Sequence, residues 1–178
     1  MKINKLQMAV LIIAGLAMAQ TASADQTINA AGNPVPHLQP VAEKADNPAM
    51  MEPVKSVYDN YLKIQTALTK DSLEGVPDKA NAMAKAIKGD EMKMLNTEIA
   101  TQAETLAQAT DLKTARKAFK PLSDSLIKYL ADHKVQSGSY NEAYCPMAEA
   151  SWLQAGAKIN NPYMGKSMPG CGEIKRKF

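Results

Sequence analysis

Apolar residues spaced by alternating steps of three and four constrain this chain more than any other feature. From Val54 onward, Val57, Tyr61, Ile64 and Leu68 share one face of a helix and neither face of a strand. The spacing predicts a first helix over 53–69. Asp71 to Glu74 reads as a connection, and Gly75 and Pro77 as breakers ahead of an alanine-rich helix over 78–88, where Ala80, Met83 and Ile87 share a face and Gly89 ends the run. Asp90 is expected to cap a third helix with the stripe Met92, Leu95, Ile99, Ala103 and Leu106. Thr110 or Asp111 caps a fourth, facing inward with Leu112, Ala115, Phe119, Leu122, Leu126 and Leu130 and kinked at Pro121. No run of period two calls for a sheet. The expected fold is therefore all-α: an up-and-down four-helix bundle followed by an irregular Cys/Met-rich loop segment at the C-terminus.

The chain ahead of the helices is of a different kind. Lys2 and Lys5, the apolar stretch Ala9 to Ala19 and the small residues Ala22-Ser23-Ala24 have the three parts of a secretory signal peptide, expected to be cut after Ala24. The apolar stretch is shorter than the roughly 20 residues a membrane span needs, and no later segment is longer, so no span is expected after signal removal. Residues 25–52 hold Pro34, Pro36, Pro40 and Pro48 among Ala, Asn and Gln, a composition that repays little ordering entropy and reads as a flexible leader. His37 and the Met50-Met51 pair fall in or beside it. Residues 53–178 suffice for one core and not for two.

Net charge excludes one class of partner. The signal carries two of the 21 basic residues and none of the 18 acidic ones, so the mature chain has 19 basic against 18 acidic side chains, a net of +1. Nucleic-acid binding draws on a basic excess that releases phosphate counterions, and only the short Lys175-Arg176-Lys177 run offers any; no nucleic-acid partner is expected.

The helical part carries no enzyme signature. It has no His-Glu-x-x-His, no Gly-x-Ser-x-Gly and no phosphate-cradling glycine loop, and the chain has two histidines in all, so no catalytic role is expected. Met83, Met92 and Met94, at helical spacing, read as packing residues. The unusual stretch runs from Tyr144 to Glu173. It holds both cysteines, each with a methionine two or three residues away: Cys145-Pro146-Met147 and Met168-Pro169-Gly170-Cys171. Thiolate and thioether are soft donors that suit copper(I), or another soft ion such as silver(I), and the spacing is not that of a zinc knuckle. His133, reached from Leu126 and Leu130 by steps of four and three, ends the inward face of the fourth helix close in sequence to Cys145 and is a candidate additional ligand.

Two cysteines in an exported chain also make a disulfide, and a loop of this length closed by one gains roughly 3 to 4 kcal/mol in the chain-entropy model. Spacing alone points to that staple. A thiol redox enzyme would want a close Cys-x-x-Cys pair, which is not here. Tyr140, Tyr144, Trp152 and Tyr163 crowd the segment and are expected to seal its loops onto the bundle. Asn161-Pro162-Tyr163 and Gly165 read as turns that return Met168 and Cys171 toward Cys145.

The run Tyr144-Cys145-Pro146-Met147-Ala148, with Ser151-Trp152-Leu153-Gln154, Ile159, Asn161-Pro162-Tyr163, Gly165, Met168 and Cys171-Gly172-Glu173-Ile174, resembles the end of a bacterial domain family first catalogued as of unknown function. That domain occurs alone in exported proteins and at the C-terminus of periplasmic adaptor subunits of heavy-metal efflux pumps. The resemblance implies a helical bundle, a periplasmic location, copper or heavy-metal handling with an efflux-pump component as partner, and Cys145, Met147, Met168 and Cys171 as the sulfur elements. One departure is visible: the family has a longer, glycine-bearing insertion where this chain has only Glu149-Ala150, a shortening that alters the loop. The expected organisation is a signal peptide at 1–24, a leader at 25–52 and a helical metal-binding domain at 53–178. The alternative is a disulfide-stapled helical interaction module of the envelope without metal.

Overall fold

A computed structural model describes residues 48–178. The expected signal peptide, 1–24, and the expected leader as far as residue 47, with His37, lie outside the described residues. Four helices follow: α1 (Val54–Thr69), α2 (Val76–Lys88), α3 (Thr97–Ala107) and α4 (Leu112–Asp132). Each packs on the next in the chain. The stripe read from the sequence forms the core, with Val57, Tyr61, Ile64, Leu68, Met83, Leu106, Phe119, Leu122, Leu126 and Leu130 fully buried. No helix among the described residues is long and apolar enough to cross a membrane.

Polar residues cap the starts of α3 and α4. Asp111 caps α4, its Oδ1 accepting from Thr114 N at 2.8 Å, a kind of contact that contributes about 1 kcal/mol. α4 then runs unbroken through Pro121. The third helix starts at Thr97 rather than at Asp90. The half-dozen residues between form a turn in which Asp90 Oδ1 accepts from Met92 N at 3.0 Å and Oδ2 from Met94 N at 2.6 Å, while Asn96 caps the helix by accepting from Glu98 N. Met92, assigned to the inward stripe, is consequently 77 % exposed. Residues 48–50 make a short 3-10 turn whose Ala49 carbonyl accepts from Tyr129 Oη at 2.9 Å.

The expected all-α architecture is corrected by the C-terminal segment, which is a three-stranded antiparallel sheet and not an irregular loop. Strands β1 (Asn141–Cys145), β2 (Ala150–Gln154) and β3 (Glu173–Lys177) stand in the order β2-β1-β3. The fold is thus mixed, four helices with a small sheet. β2 lies on α4 and α1, with Trp152 and Leu153 fully buried. Its edge is satisfied by helix side chains: Leu153 N donates to Tyr61 Oη at 3.0 Å, and that hydroxyl shares a 2.8 Å hydrogen bond with Ser123 Oγ of α4. Tyr58 Oη donates to Leu126 O at 2.7 Å. These buried tyrosines join α1, α4 and the sheet, and leaving such a donor or acceptor unpaired costs about 1–3 kcal/mol.

Candidate metal centre

Strand register brings the two cysteines together. β1 pairs with β3 so that Tyr144 stands opposite Glu173, which puts Gly172 level with Cys145 and leaves Cys171 one residue further, beside the end of β1. Gly172 makes this possible. Its φ is +131°, and a Cβ there would lie 2.8 Å from Tyr144 O and 2.9 Å from the Trp152 ring, so a side chain would push the Cys171 segment off the sheet. Both thiols are free, Cys145 buried and Cys171 half-buried, and their side chains are hydrogen-bonded to each other.

The hairpin turn joining β1 to β2 shapes the surroundings of Cys145. Cys145 pairs with Ala150, so only Pro146, Met147, Ala148 and Glu149 make the turn, closed by Glu149 N donating to Pro146 O at 3.3 Å with Glu149 at φ +46°. The turn folds the N–H groups of Ala148 and Met147 back onto the Cys145 sulfur, and the Asn161 side chain adds a further hydrogen bond. Burial by itself pushes the Cys145 thiol up. The contacts from Cys171, Ala148, Met147 and Asn161 outweigh it and hold the thiol below the ordinary cysteine value. Cys171 moves the other way, raised by its hydrogen bond to Cys145, by burial and by the charge Cys145 carries as a thiolate, against one Met147 N–H.

Asn161 is the residue around which this end of the molecule is built. It is fully buried; its Nδ2 donates to Cys171 O at 2.7 Å, its backbone N to Pro169 O at 2.9 Å, and its Oδ1 accepts from Tyr163 N at 2.8 Å and Met164 N at 3.0 Å. The turn read at Asn161-Pro162-Tyr163 is present and does return Cys171 to Cys145, but the role of the Asn161 amide was not legible. The Asn-Pro pair, which favours a side-chain-capped turn, was the available signal. A second anchor holds the same loop to the helices. Arg116 of α4 donates to Pro162 O at 2.8 Å and Leu68 O at 3.1 Å and pairs with Asp71 at 2.5 Å, while Asp71 Oδ2 accepts from Lys166 N at 3.1 Å. Gly165 lies directly on this pair, where a Cβ would overlap both the carboxylate and the guanidinium.

The remaining sulfur residues lie beside the cysteines in the chain and at the surface. Met147 in the hairpin turn is 63 % exposed, and Met168, whose carbonyl accepts from Cys171 N at 3.1 Å, is 38 % exposed. His133 is placed elsewhere. It is the C-cap of α4, with Nδ1 2.9 Å from Tyr129 O and its ring stacked on Tyr129, and it lines a cavity between α3 and α4 that includes none of the four sulfur residues. The aromatic residues seal: Trp152 is buried edge-on to Tyr163, which also tilts against Phe119. Tyr144 instead lies under the Lys175 ammonium at the surface.

A family model described as a protein of unknown function (DUF3347) matches residues 57–138. The matched span covers α2, α3, α4 and most of α1, and ends before β1, so the segment carrying both cysteines lies beyond it. No match was found among curated proteins or among solved structures.

Proposed function

We propose that this protein is an exported, non-enzymatic binder of copper(I), or of a comparably soft ion such as silver(I), which holds the ion through Cys145 and Cys171 for sequestration or for transfer to a periplasmic efflux or resistance system. The observation that carries this reading is the set of hydrogen bonds converging on the Cys145 sulfur. A buried cysteine that only fills space is a small apolar side chain with a raised pKa. Here two backbone N–H groups, a buried amide and a second thiol surround the sulfur and favour its anion. A thiol favoured to ionise beside a second thiol is the donor set that a soft, two- or three-coordinate ion takes. Met147 and Met168, exposed and next to the cysteines in sequence, would add thioethers. The ion is cargo, and the chain supplies anionic sulfur, a fixed approach and partial burial.

The adjacency of the thiols also supports the staple reading. On oxidation by a disulfide-bearing oxidant the pair loses two protons and two electrons, forms a Cys145–Cys171 bond and leaves the oxidant as two thiols; the chain would then act as a rigid interaction module.

Alkylation of the reduced protein, followed residue by residue by mass spectrometry with and without one equivalent of copper(I), tests the proposal. Protection of both cysteines by the ion is the expected result. Equal labelling rates with and without copper(I) would overturn it, and thiols already blocked in protein taken directly from the periplasm would favour the staple.

A further inference from the structure

The cavity between α3 and α4 offers a second set of soft donors, separate from the cysteines. It encloses about 300 Å³, and its lining includes Met94, Glu98, Lys128, Tyr129, Asp132 and His133. The imidazole has one nitrogen engaged by the backbone. Nδ1 lies 2.9 Å from the Tyr129 carbonyl oxygen, and a ring nitrogen beside an acceptor carries the proton, which leaves the lone pair on Nε2. Stacking on Tyr129 at 4.1 Å fixes the ring plane, and Tyr129 is itself tied by its hydroxyl to Ala49 O.

Local charge favours a cation. Glu98 and Asp132 face one ammonium, Lys128, which is paired with Asp132 at 2.6 Å, and His133 sits at the C-terminal end of α4, where the helix dipole is negative. Among the described residues no three His, Cys, Asp or Glu side chains converge to hold a metal, so the cavity provides no cage for a hard or tetrahedral ion. Its lining does include one imidazole, His133, and one thioether residue, Met94. We propose that His133 and Met94 form a second, two-donor site for a soft monovalent cation, independent of Cys145 and Cys171.

Silver(I), the probe, is titrated into the reduced full-length chain while the His133 imidazole and Met94 methyl resonances are followed by NMR. Once the cysteines are loaded, further silver(I) shifts both resonances. His133→Ala abolishes the Met94 shift, and Met94→Leu moves the His133 shift to higher silver(I). In the Cys145→Ser/Cys171→Ser protein, folded by its helical circular dichroism, the His133 response remains and begins with the first equivalent. An unmoved His133 resonance in excess silver(I), or an unaltered His133 titration in Met94→Leu, would overturn the site. The wild-type titration reads this outcome whether or not the double-serine chain folds. A His133 response without any cysteine response would refute the proposed function and leave this site standing.

Discussion

Cys145 and Cys171 stand side by side at one end of the sheet although 26 positions separate them, and the buried thiol, Cys145, is the one held below the ordinary cysteine value while its half-buried neighbour is raised. In the proposed site the pair would divide two tasks: Cys145, whose thiol is favoured to ionise, would retain the ion, and Cys171 is the more exposed sulfur. An arriving soft ion would meet Cys171 and the exposed thioethers first and be retained by Cys145.

Met147 and Met168 are accordingly expected to matter for the ion and little for the fold. Met147→Leu and Met168→Leu keep volume and remove only the thioether, and both positions are exposed, so each should cost well under about 1.5 kcal/mol in urea unfolding. Copper(I) affinity should fall in both. A lowered melting temperature with unaltered affinity would make them packing residues.

Gly172→Ala should do the reverse at the same place. A Cβ at φ +131° against Tyr144 O and the Trp152 ring forces the backbone to shift, at a cost on the order of 1–3 kcal/mol. Because that shift moves Cys171 away from Cys145, the variant should lose both stability and copper(I) affinity, read by thermal unfolding and by competition titration. Full retention of both would mean that the close approach of the two strands is not needed.

Asp71 gives the acid limb of stability a defined contributor. Hydrogen bonds from Arg116 and from Lys166 N hold its carboxyl below the ordinary carboxylate value. A folded pKa below the unfolded one means that the contribution is present above the unfolded value, about 3.9, and is lost as pH falls below it through the folded one. Wild type and Asp71→Asn should therefore differ in stability by a constant amount near neutrality and converge in acid. A difference that grows on acidification contradicts this account of the anchor.

The helices were legible because their signal is redundant: each turn of α1 and α4 repeats the same inward apolar face. The sheet was not, and its residues explain why. β1 alternates in burial, but its inward residues are Asn141, Ala143 and Cys145, so the pattern is not one of apolar against polar. β2 buries Trp152, Leu153 and Gln154 consecutively between β1 and the helices, and β3 is an exposed edge reading Glu-Ile-Lys-Arg-Lys. At the site, the two cysteines and their turns could be read from the chain. The Asp71–Arg116 anchor joins residues 45 positions apart, and the Asn161 amide and the stacking of His133 on Tyr129 are set by side-chain geometry, none of which periodicity records. Asp90 misled because a good N-cap also closes a turn, as it does for Met92 and Met94.

Competition against a chelator of known affinity decides whether Cys145 and Cys171 hold a soft ion. The reduced wild-type chain and Cys145→Ser/Cys171→Ser are each titrated with copper(I), silver(I) and zinc(II). The wild type should bind copper(I) and silver(I) more tightly than zinc(II), since thioethers contribute little to zinc, and the double-serine chain should lose the tight copper(I) phase. Equal copper(I) affinity in the two proteins, or tighter binding of zinc(II) by the wild type, would contradict the proposed site.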